Sequence, residues 1–275
     1  AGWLGGGAID FAGSAGVGIV LAIVGRGFPR RPEAVGALEP LSAFVAALFA
    51  ELATTVAPTV KVSVVTISSL IILVPGLALT MGLAELASRH LVSGMARLAG
   101  AAAVFFTMLF GVALGWRVGG ALADGIGVAV VEAAGQGVSA WIQWGIISIS
   151  PIAFAVLFEA RTREFLPIWL TSVAAFVAAK AGAEVLGPDL GPFLGALTAG
   201  VGGNLYGRLV DRPGLVPMTP AILLLVPGSL GFRSLTSFLH KDAVVGVDGA
   251  FQTGLVAASL VGGLLIANVV LPPRG

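Results

Sequence analysis

Nine long apolar runs, separated by short polar segments, constrain the fold of this chain more than any other feature. Each run is about 16–25 residues long, close to the length that an α-helix needs to cross the hydrocarbon core of a bilayer. Charged residues make up 11% of the chain, against about 25% in a soluble domain, and the mean hydropathy is +1.02. The runs are continuously apolar and do not alternate, which disfavours a β-barrel. The sequence therefore predicts an all-α integral membrane protein.

The runs divide into two membrane modules. A glycine-rich, weakly amphipathic stretch separates the fourth run from the fifth and is predicted to be an interfacial link. We expect a first module over residues 1–118, a link over 119–140 and a second module over 141–275. Because the chain begins at Ala1 inside an apolar stretch, we expect the first module to lack its first span, which would make ten spans in all. The nine runs cover residues 9–24, 38–56, 62–79, 95–116, 141–158, 166–183, 190–209, 215–230 and 247–271.

The distribution of lysine and arginine predicts the orientation of the chain. When alternate loops are grouped, ten of the 15 basic residues fall on one side and five on the other. The side with more basic residues is expected to be cytoplasmic. The C-terminus then lies in the cytoplasm, and Ala1 lies outside.

A tetrapeptide occurs twice. Leu73-Val74-Pro75-Gly76 recurs 152 residues later as Leu225-Val226-Pro227-Gly228, and each copy closes an apolar run. At the same offset, Gly94 matches Gly246 and Gly111 matches Gly263. These matches indicate an internal duplication. If each module has five spans, an odd number, the two modules must be inverted relative to each other, as in many secondary transporters.

Each Pro-Gly pair is predicted to break a helix. Proline removes a backbone donor and clashes with the preceding turn, and glycine tolerates dihedral angles that other residues avoid. The free helix ends at such a break carry partial charges suited to the carboxylate and ammonium groups of an amino acid. A plain helix end at the membrane interface is the alternative interpretation. The candidate substrate-binding residues are Pro75, Gly76, Thr80, Glu85, Pro227, Gly228 and Arg233.

Ionisable side chains near or within the spans are the candidates for proton coupling. Glu85 follows the first Pro-Gly pair and is the first candidate, although a solvated pair with Arg89, four residues on, would also explain it. Glu51, in the second run, is the second candidate, with extension of its side chain to the interface as the alternative. Lys61 and Lys180 also fall within runs, and Lys180 has the spacing to pair with Glu184.

Other functional classes find little support in the sequence. The chain has no cysteine and two histidines, so a metal site is disfavoured, and the net charge of +1 gives no reason to expect nucleic-acid binding. No nucleotide-binding or hydrolase motif is present. We expect neither an enzyme nor a cofactor.

Two segments carry a resemblance to a known family. Residues 73–97, LVPGLALTMGLAELASRHLVSGMAR, resemble the signature of the threonine/serine exporter family at Pro75, Gly76, Gly94 and Arg97. Met81 stands where that family usually has Asn, and Glu85 stands where it has Asp. Residues 212–263 resemble the second module of the family; the matching positions there are Arg212, Pro213, Pro220, Pro227 and Gly228.

This resemblance implies ten spans in two five-span modules, preceded by a soluble cytoplasmic region, and proton-driven export of threonine and serine. An exporter of a dicarboxylate or other small metabolite is the alternative, for which Lys61, Lys180 and Arg233 would matter more; a non-transporting membrane scaffold is a third hypothesis. The expected partners are a small-molecule amino acid, protons and the lipid bilayer, with a homo-oligomer left open. The expected location is the bacterial inner (plasma) membrane, with a multi-pass topology.

Overall fold

The computed structural model describes residues 6–27, 36–125, 140–239 and 241–273, with the backbone alone for 140–143. All regular secondary structure in these ranges is helical, as expected where lipid leaves the backbone no other open structure that satisfies its hydrogen bonds. A 3-10 turn, Thr162–Glu164, leads into the α-helix that begins at Phe165. The α-helices are α1 (Ala8–Gly27), α2 (Leu38–Val56), α3 (Val62–Leu70), α4 (Gly76–Ala87), α5 (Leu91–Gly125), α6 (Ala140–Leu157), α7 (Phe165–Leu186), α8 (Pro192–Val210), α9 (Leu215–Leu225), α10 (Gly228–Leu239) and α11 (Ala243–Val270).

Six helical segments in the described ranges are long and apolar enough to cross a membrane. They are α1, α2, α5, α7 with its preceding turn, α9 continued by α10, and α11. The predicted class, an all-helical membrane protein, is confirmed. The predicted nine visible spans, and ten in all, stay a prediction; α8, which occupies the seventh predicted span, is not among the six segments.

The chain forms two compact units whose segments interleave along the sequence. Unit 1 comprises Ala1–Pro75, Gly100–Gln143 and Phe232–Gly246, and unit 2 comprises Gly76–Ala99, Trp144–Gly231 and Val247–Gly275. The helix after the first Pro-Gly pair, α4, thus belongs to unit 2, and most of α10 belongs to unit 1. Of the predicted link, residues 119–125 continue α5, and 126–139 lie outside the described residues.

In unit 1, α2 and α5 approach each other closely. A methyl group built on Gly111 would overlap the carbonyl oxygen of Pro40 and lie 3.0 Å from Ala43 Cβ. One turn on, a methyl group on Gly115 would lie 2.7 Å from Ala47 Cβ. Small residues at four-residue spacing therefore bring the two backbones into contact, as is common for helices packed in membranes.

Unit 2 contains a compact core of small and branched side chains from α7, α8, α9 and α11. Gly263 on α11 packs against α8: a methyl group built on it would overlap the carbonyl oxygen of Phe193 and lie 2.8 Å from Ala196 Cβ. The buried members of this core are Ala175, Ala196, Ala199, Ala221, Ile222, Val256 and Leu260.

The two halves of the chain repeat the same local geometry. Gly111 contacts α2 through the same three kinds of atom (a carbonyl oxygen, an alanine Cβ and a backbone nitrogen) as Gly263 contacts α8. Both α2 and α8 have 19 residues, and both α4 and α10 have 12, with the starts of α4 and α10 152 residues apart. The duplication inferred from matched glycines therefore has a counterpart in packing.

The turns that end α4 and α10 also match. Arg89 and Lys241, 152 residues apart, both adopt left-handed backbone conformations, with φ of 66° and 62°. The amide of the next residue reaches back five residues in each case, from His90 to the carbonyl of Glu85 and from Asp242 to that of Ser237. Both are helix C-terminal turns of the Schellman type.

Candidate functional site

The first Pro-Gly pair lies between two helices. The preceding helix, α3, ends at Leu70, whose carbonyl accepts hydrogen bonds from the amides of Leu73 (2.8 Å) and Val74 (3.1 Å). Pro75 has no amide to continue this pattern, and α4 begins at Gly76. The prediction that this pair interrupts a helix is confirmed.

The second pair interrupts a helix in a related way. The last residue of α9 is Leu225, and Val226 is extended, with φ −62° and ψ 133°. This conformation is the one that a residue preceding proline prefers. A new helix, α10, begins at Gly228, so each Pro-Gly pair marks a helix N-terminus as well as a helix end.

The two breaks meet inside unit 2. A methyl group built on Gly76 would overlap the Val226 side chain, lie 2.9 Å from the Gly228 Cα and lie 3.1 Å from its amide nitrogen. Only glycine at position 76 permits this approach of two backbones. The structure thus brings together residues 152 positions apart that the sequence identified as a repeated motif.

The other candidates near the breaks differ in accessibility. Gly76, Pro227 and Gly228 are buried, and Pro75 is half-buried. Thr80 is fully buried, and its hydroxyl donates a 3.2 Å hydrogen bond to the Gly76 carbonyl, one turn earlier in α4. This hydroxyl is therefore engaged by its own helix.

Glu85 lies nine residues after Gly76, about 14 Å further along the axis of α4. Its Oε1 accepts hydrogen bonds from two Arg97 nitrogens, at 2.8 and 3.0 Å. The predicted alternative, a pair with Arg89, is wrong: α4 ends at Ala87, and Arg89 turns away in its left-handed conformation. Glu85 lies outside the six membrane-spanning segments, and its hydrogen bond with Arg97 lowers the pKa of the carboxyl below its ordinary value.

The remaining candidates are spread over both units. In unit 1, Glu51 lies half-buried on α2, against α5, where a methyl group built on Gly119 would be 2.6 Å from its Cβ. Also in unit 1, Arg233 is exposed on α10. In unit 2, the Lys180 ammonium lies 4.9 Å from the centre of the Trp144 ring, a cation–π contact that the sequence did not predict.

The buried polar residues that the sequence reasoning missed include two carboxylates and one amide. Asp10 is 3% exposed in unit 1, and Glu164 and Asn204 are 9% and 3% exposed in unit 2. The Asn204 amide donates to Asn268 Oδ1 (3.0 Å) and to the Leu271 carbonyl (2.7 Å), which ties α8 to the end of α11. The signal available was one acidic residue near the start of an apolar run in each module, at Asp10 and Glu164.

A polar cavity of about 300 Å³ opens at the α8–α9 turn of unit 2. None of the candidate site residues from the sequence lines it. Its walls are formed by Asn204, Gly207, Asp211, Arg212, Pro213, Gly214 and Pro273.

Comparison with known proteins identifies the family. A family model described as "Putative threonine/serine exporter" matches residues 1–119, and one described as "Threonine/Serine exporter, ThrE" matches residues 143–270. The chain is also 24% identical over 211 residues to the pheromone-regulated membrane protein 10 of Candida glabrata, covering 74% of this chain and 27% of that protein. No solved structure matches the chain. Two family models, one on each half, together span nearly all of a chain whose halves repeat each other, and the chain belongs to the threonine/serine exporter family.

Proposed function

We propose that this protein is a secondary transporter that exports threonine or serine across the membrane in exchange for protons. The observation that carries the proposal is the contact between Gly76 and Gly228, where the two broken helices meet. Membership in an exporter family supports transport and speaks against an enzyme. The specific substrate and the driving ion are part of the proposal.

The substrate carboxylate would bind at the first turns of α4 and α10. The first amide groups of a helix lack partners within it, and the helix dipole adds partial positive charge there. Because Gly76 and Gly228 begin their helices and lie against each other, these two sources of positive charge add at one place. Pro75, Thr80 and Pro227 shape the breaks around it, and Arg233 is the further basic candidate on α10.

Glu85 and Glu51 are the proposed proton-coupling residues. The Arg97 contact favours the charged form of the Glu85 carboxyl, so protonation of Glu85 would weaken its ion pair with Arg97. Glu51 lies where α2 and α5 come into close contact. Protonation of Glu51 would change the charge at that helix contact.

The topology is proposed as two inverted five-span modules, over residues 1–118 and 141–275, in a bacterial inner membrane with the C-terminus in the cytoplasm. The matched helix lengths and matched glycine contacts of the two halves support duplication. These 275 residues contain no cysteine, so single cysteines introduced into them at Lys61 and Arg233 can be labelled from either side without background. Both positions are expected to react from outside; labelling of either from the cytoplasmic side only would overturn this topology.

A proteoliposome assay tests the function. Purified protein is reconstituted with internal labelled threonine, and efflux is followed with and without an imposed proton gradient. We expect gradient-driven efflux that excess serine inhibits and succinate does not. Inhibition by succinate alone would favour the dicarboxylate exporter, and no efflux of either substrate would favour the scaffold.

A further inference from the structure

Two buried carboxylates make the same pair of contacts in the two halves of the chain. Asp10 lies in the first turn of α1, and Glu164 lies one residue before α7. The two are 154 residues apart, which is also the offset between the starts of α2 and α8. They are therefore equivalent positions in the duplicated architecture.

In each case one carboxylate oxygen accepts from a free amide at the start of its helical segment, which is α1 for Asp10 and the 3-10 turn Thr162–Glu164 for Glu164. Asp10 Oδ2 accepts from the amide of Gly7 at 2.8 Å, and Glu164 Oε2 accepts from the amide of Arg161 at 3.1 Å. The amide donor lies three residues earlier in both. A carboxylate at this place satisfies a free amide and interacts favourably with the helix dipole.

The other carboxylate oxygen accepts a hydrogen bond from a residue just before the helix that leads into a Pro-Gly break. Asp10 Oδ1 accepts from the amide of Lys61 at 2.8 Å, immediately before α3. Glu164 Oε1 accepts from the Arg212 guanidinium at 2.7 Å, three residues before α9. These are the helices that lead into Pro75 and Pro227.

We propose that Asp10 and Glu164 are matched positioning residues, one in each half, which fix the start of the helix leading into each Pro-Gly break, and that transport needs both. The role rests on the proposed transport function, but the anchoring itself does not. Each carboxylate holds two charge-assisted contacts from a buried position, so its loss frees the start of α3 or α9 while the Pro-Gly break stays covalently intact.

The test compares Asp10→Asn and Glu164→Gln with Asp248→Asn and Glu184→Gln, which make the same chemical changes at exposed positions. Efflux at saturating substrate is measured per folded, reconstituted transporter. We expect efflux to fall on the order of tenfold in Asp10→Asn and in Glu164→Gln, and to stay within about twofold of wild type in the two controls. Asp10→Glu and Glu164→Asp, which retain a carboxylate, are expected to recover most of the rate.

If Asp10→Asn or Glu164→Gln does not fold, substitutions of the residues that donate to these carboxylates, Lys61 and Arg212, provide the test. Lys61→Pro removes the amide donor at a position whose φ of −87° is close to that of proline, and Lys61→Ala keeps it. Arg212→Gln removes the guanidinium and leaves the Glu164 cap intact. We expect Arg212→Gln to reproduce the loss, and we expect efflux in Lys61→Pro to fall well below efflux in Lys61→Ala, which loses the same side chain but keeps the amide donor.

Hydrogen exchange separates failure of this proposal from failure of the proposed function. In detergent, amides of α3 should exchange faster in Asp10→Asn, and those of α9 faster in Glu164→Gln, whatever the protein transports. The proposal would be overturned by unchanged hydrogen exchange in Asp10→Asn and Glu164→Gln, or by unchanged efflux per folded molecule in both. If only one of these two substitutions has an effect, the two carboxylates do not have the same role. If wild-type protein shows no efflux while the exchange result holds, the transport assignment fails and the anchoring stands.

Discussion

Replacing Gly76 by alanine is the sharpest single test of the contact between the two breaks. The added methyl group would overlap a γ-carbon of Val226 and lie 2.9 Å from the Gly228 Cα. Val226 is β-branched and cannot easily rotate away, and the Gly228 contact involves backbone. The two helix N-termini must therefore separate to accommodate the methyl group.

The expected cost follows from these contacts. Forcing a methyl group into a packed contact costs about 1–3 kcal/mol, and replacing glycine by alanine in a helix returns at most about 1 kcal/mol. The net loss of stability is then about 0–3 kcal/mol, and the difference from a glycine-to-alanine change without a clash is about 1–3 kcal/mol. Gly254→Ala on α11 is the control, because a methyl group there meets nothing within 4 Å and should be neutral or stabilising.

Thermal unfolding in detergent and threonine efflux from proteoliposomes are both measured. Gly76→Ala should melt several degrees below Gly254→Ala, and its efflux per folded molecule should fall on the order of tenfold if the breaks form the site. Adding Val226→Ala should recover part of the loss, since it removes the overlapping atom. Equal melting and equal efflux for Gly76→Ala and Gly254→Ala would refute the contact, and strictly additive effects of the two substitutions would refute its stated cause.

Further predictions concern the packing and the coupling residues. Gly263→Ala should destabilise unit 2 by about 1–3 kcal/mol because its methyl group would overlap the backbone of α8. Gly262→Ala is the control, since its methyl group would lie 3.7 Å from the nearest atom and should not destabilise the unit. Equal unfolding midpoints for the two variants would contradict this. Asn204→Ala should cost about 1–3 kcal/mol in chemical unfolding, since it removes two hydrogen bonds donated by a buried amide group. An unchanged free energy of unfolding would exclude that contribution. Proton-driven efflux should weaken in Glu85→Gln or Glu51→Gln; if both variants retain it in full, neither residue couples proton flow to transport.

Several features of this fold could be predicted from the sequence because they depend on local chemistry. Apolar length identified the membrane-spanning class, and α2 begins and ends at the residues expected for the second run, Leu38 and Val56. The interruptions at Pro75 and Pro227 could be predicted because glycine follows each of these prolines, whereas Pro151 and Pro220 lie inside continuous helices. The matched Gly111 and Gly263 likewise indicated a duplication that the packing repeats.

Other features depend on residues far apart in the chain. The partner of Glu85 is Arg97 on the next helix, because the left-handed turn at Arg89 removes the local partner that four-residue spacing suggested. Asp10 and Glu164 lie near helix starts in the sequence, and only the fold gives each a second contact, at Lys61 and Arg212.

The sequence by itself determined that this chain is a helical membrane protein with two broken helices, because bilayer thickness, backbone hydrogen bonding and proline geometry act on each segment separately. The tertiary structure decided that Gly76 lies against Gly228 and that each unit takes segments from both halves of the chain. No local rule specifies such a contact between residues 152 positions apart. It follows from packing, in which residues without side chains allow two helix N-termini to meet.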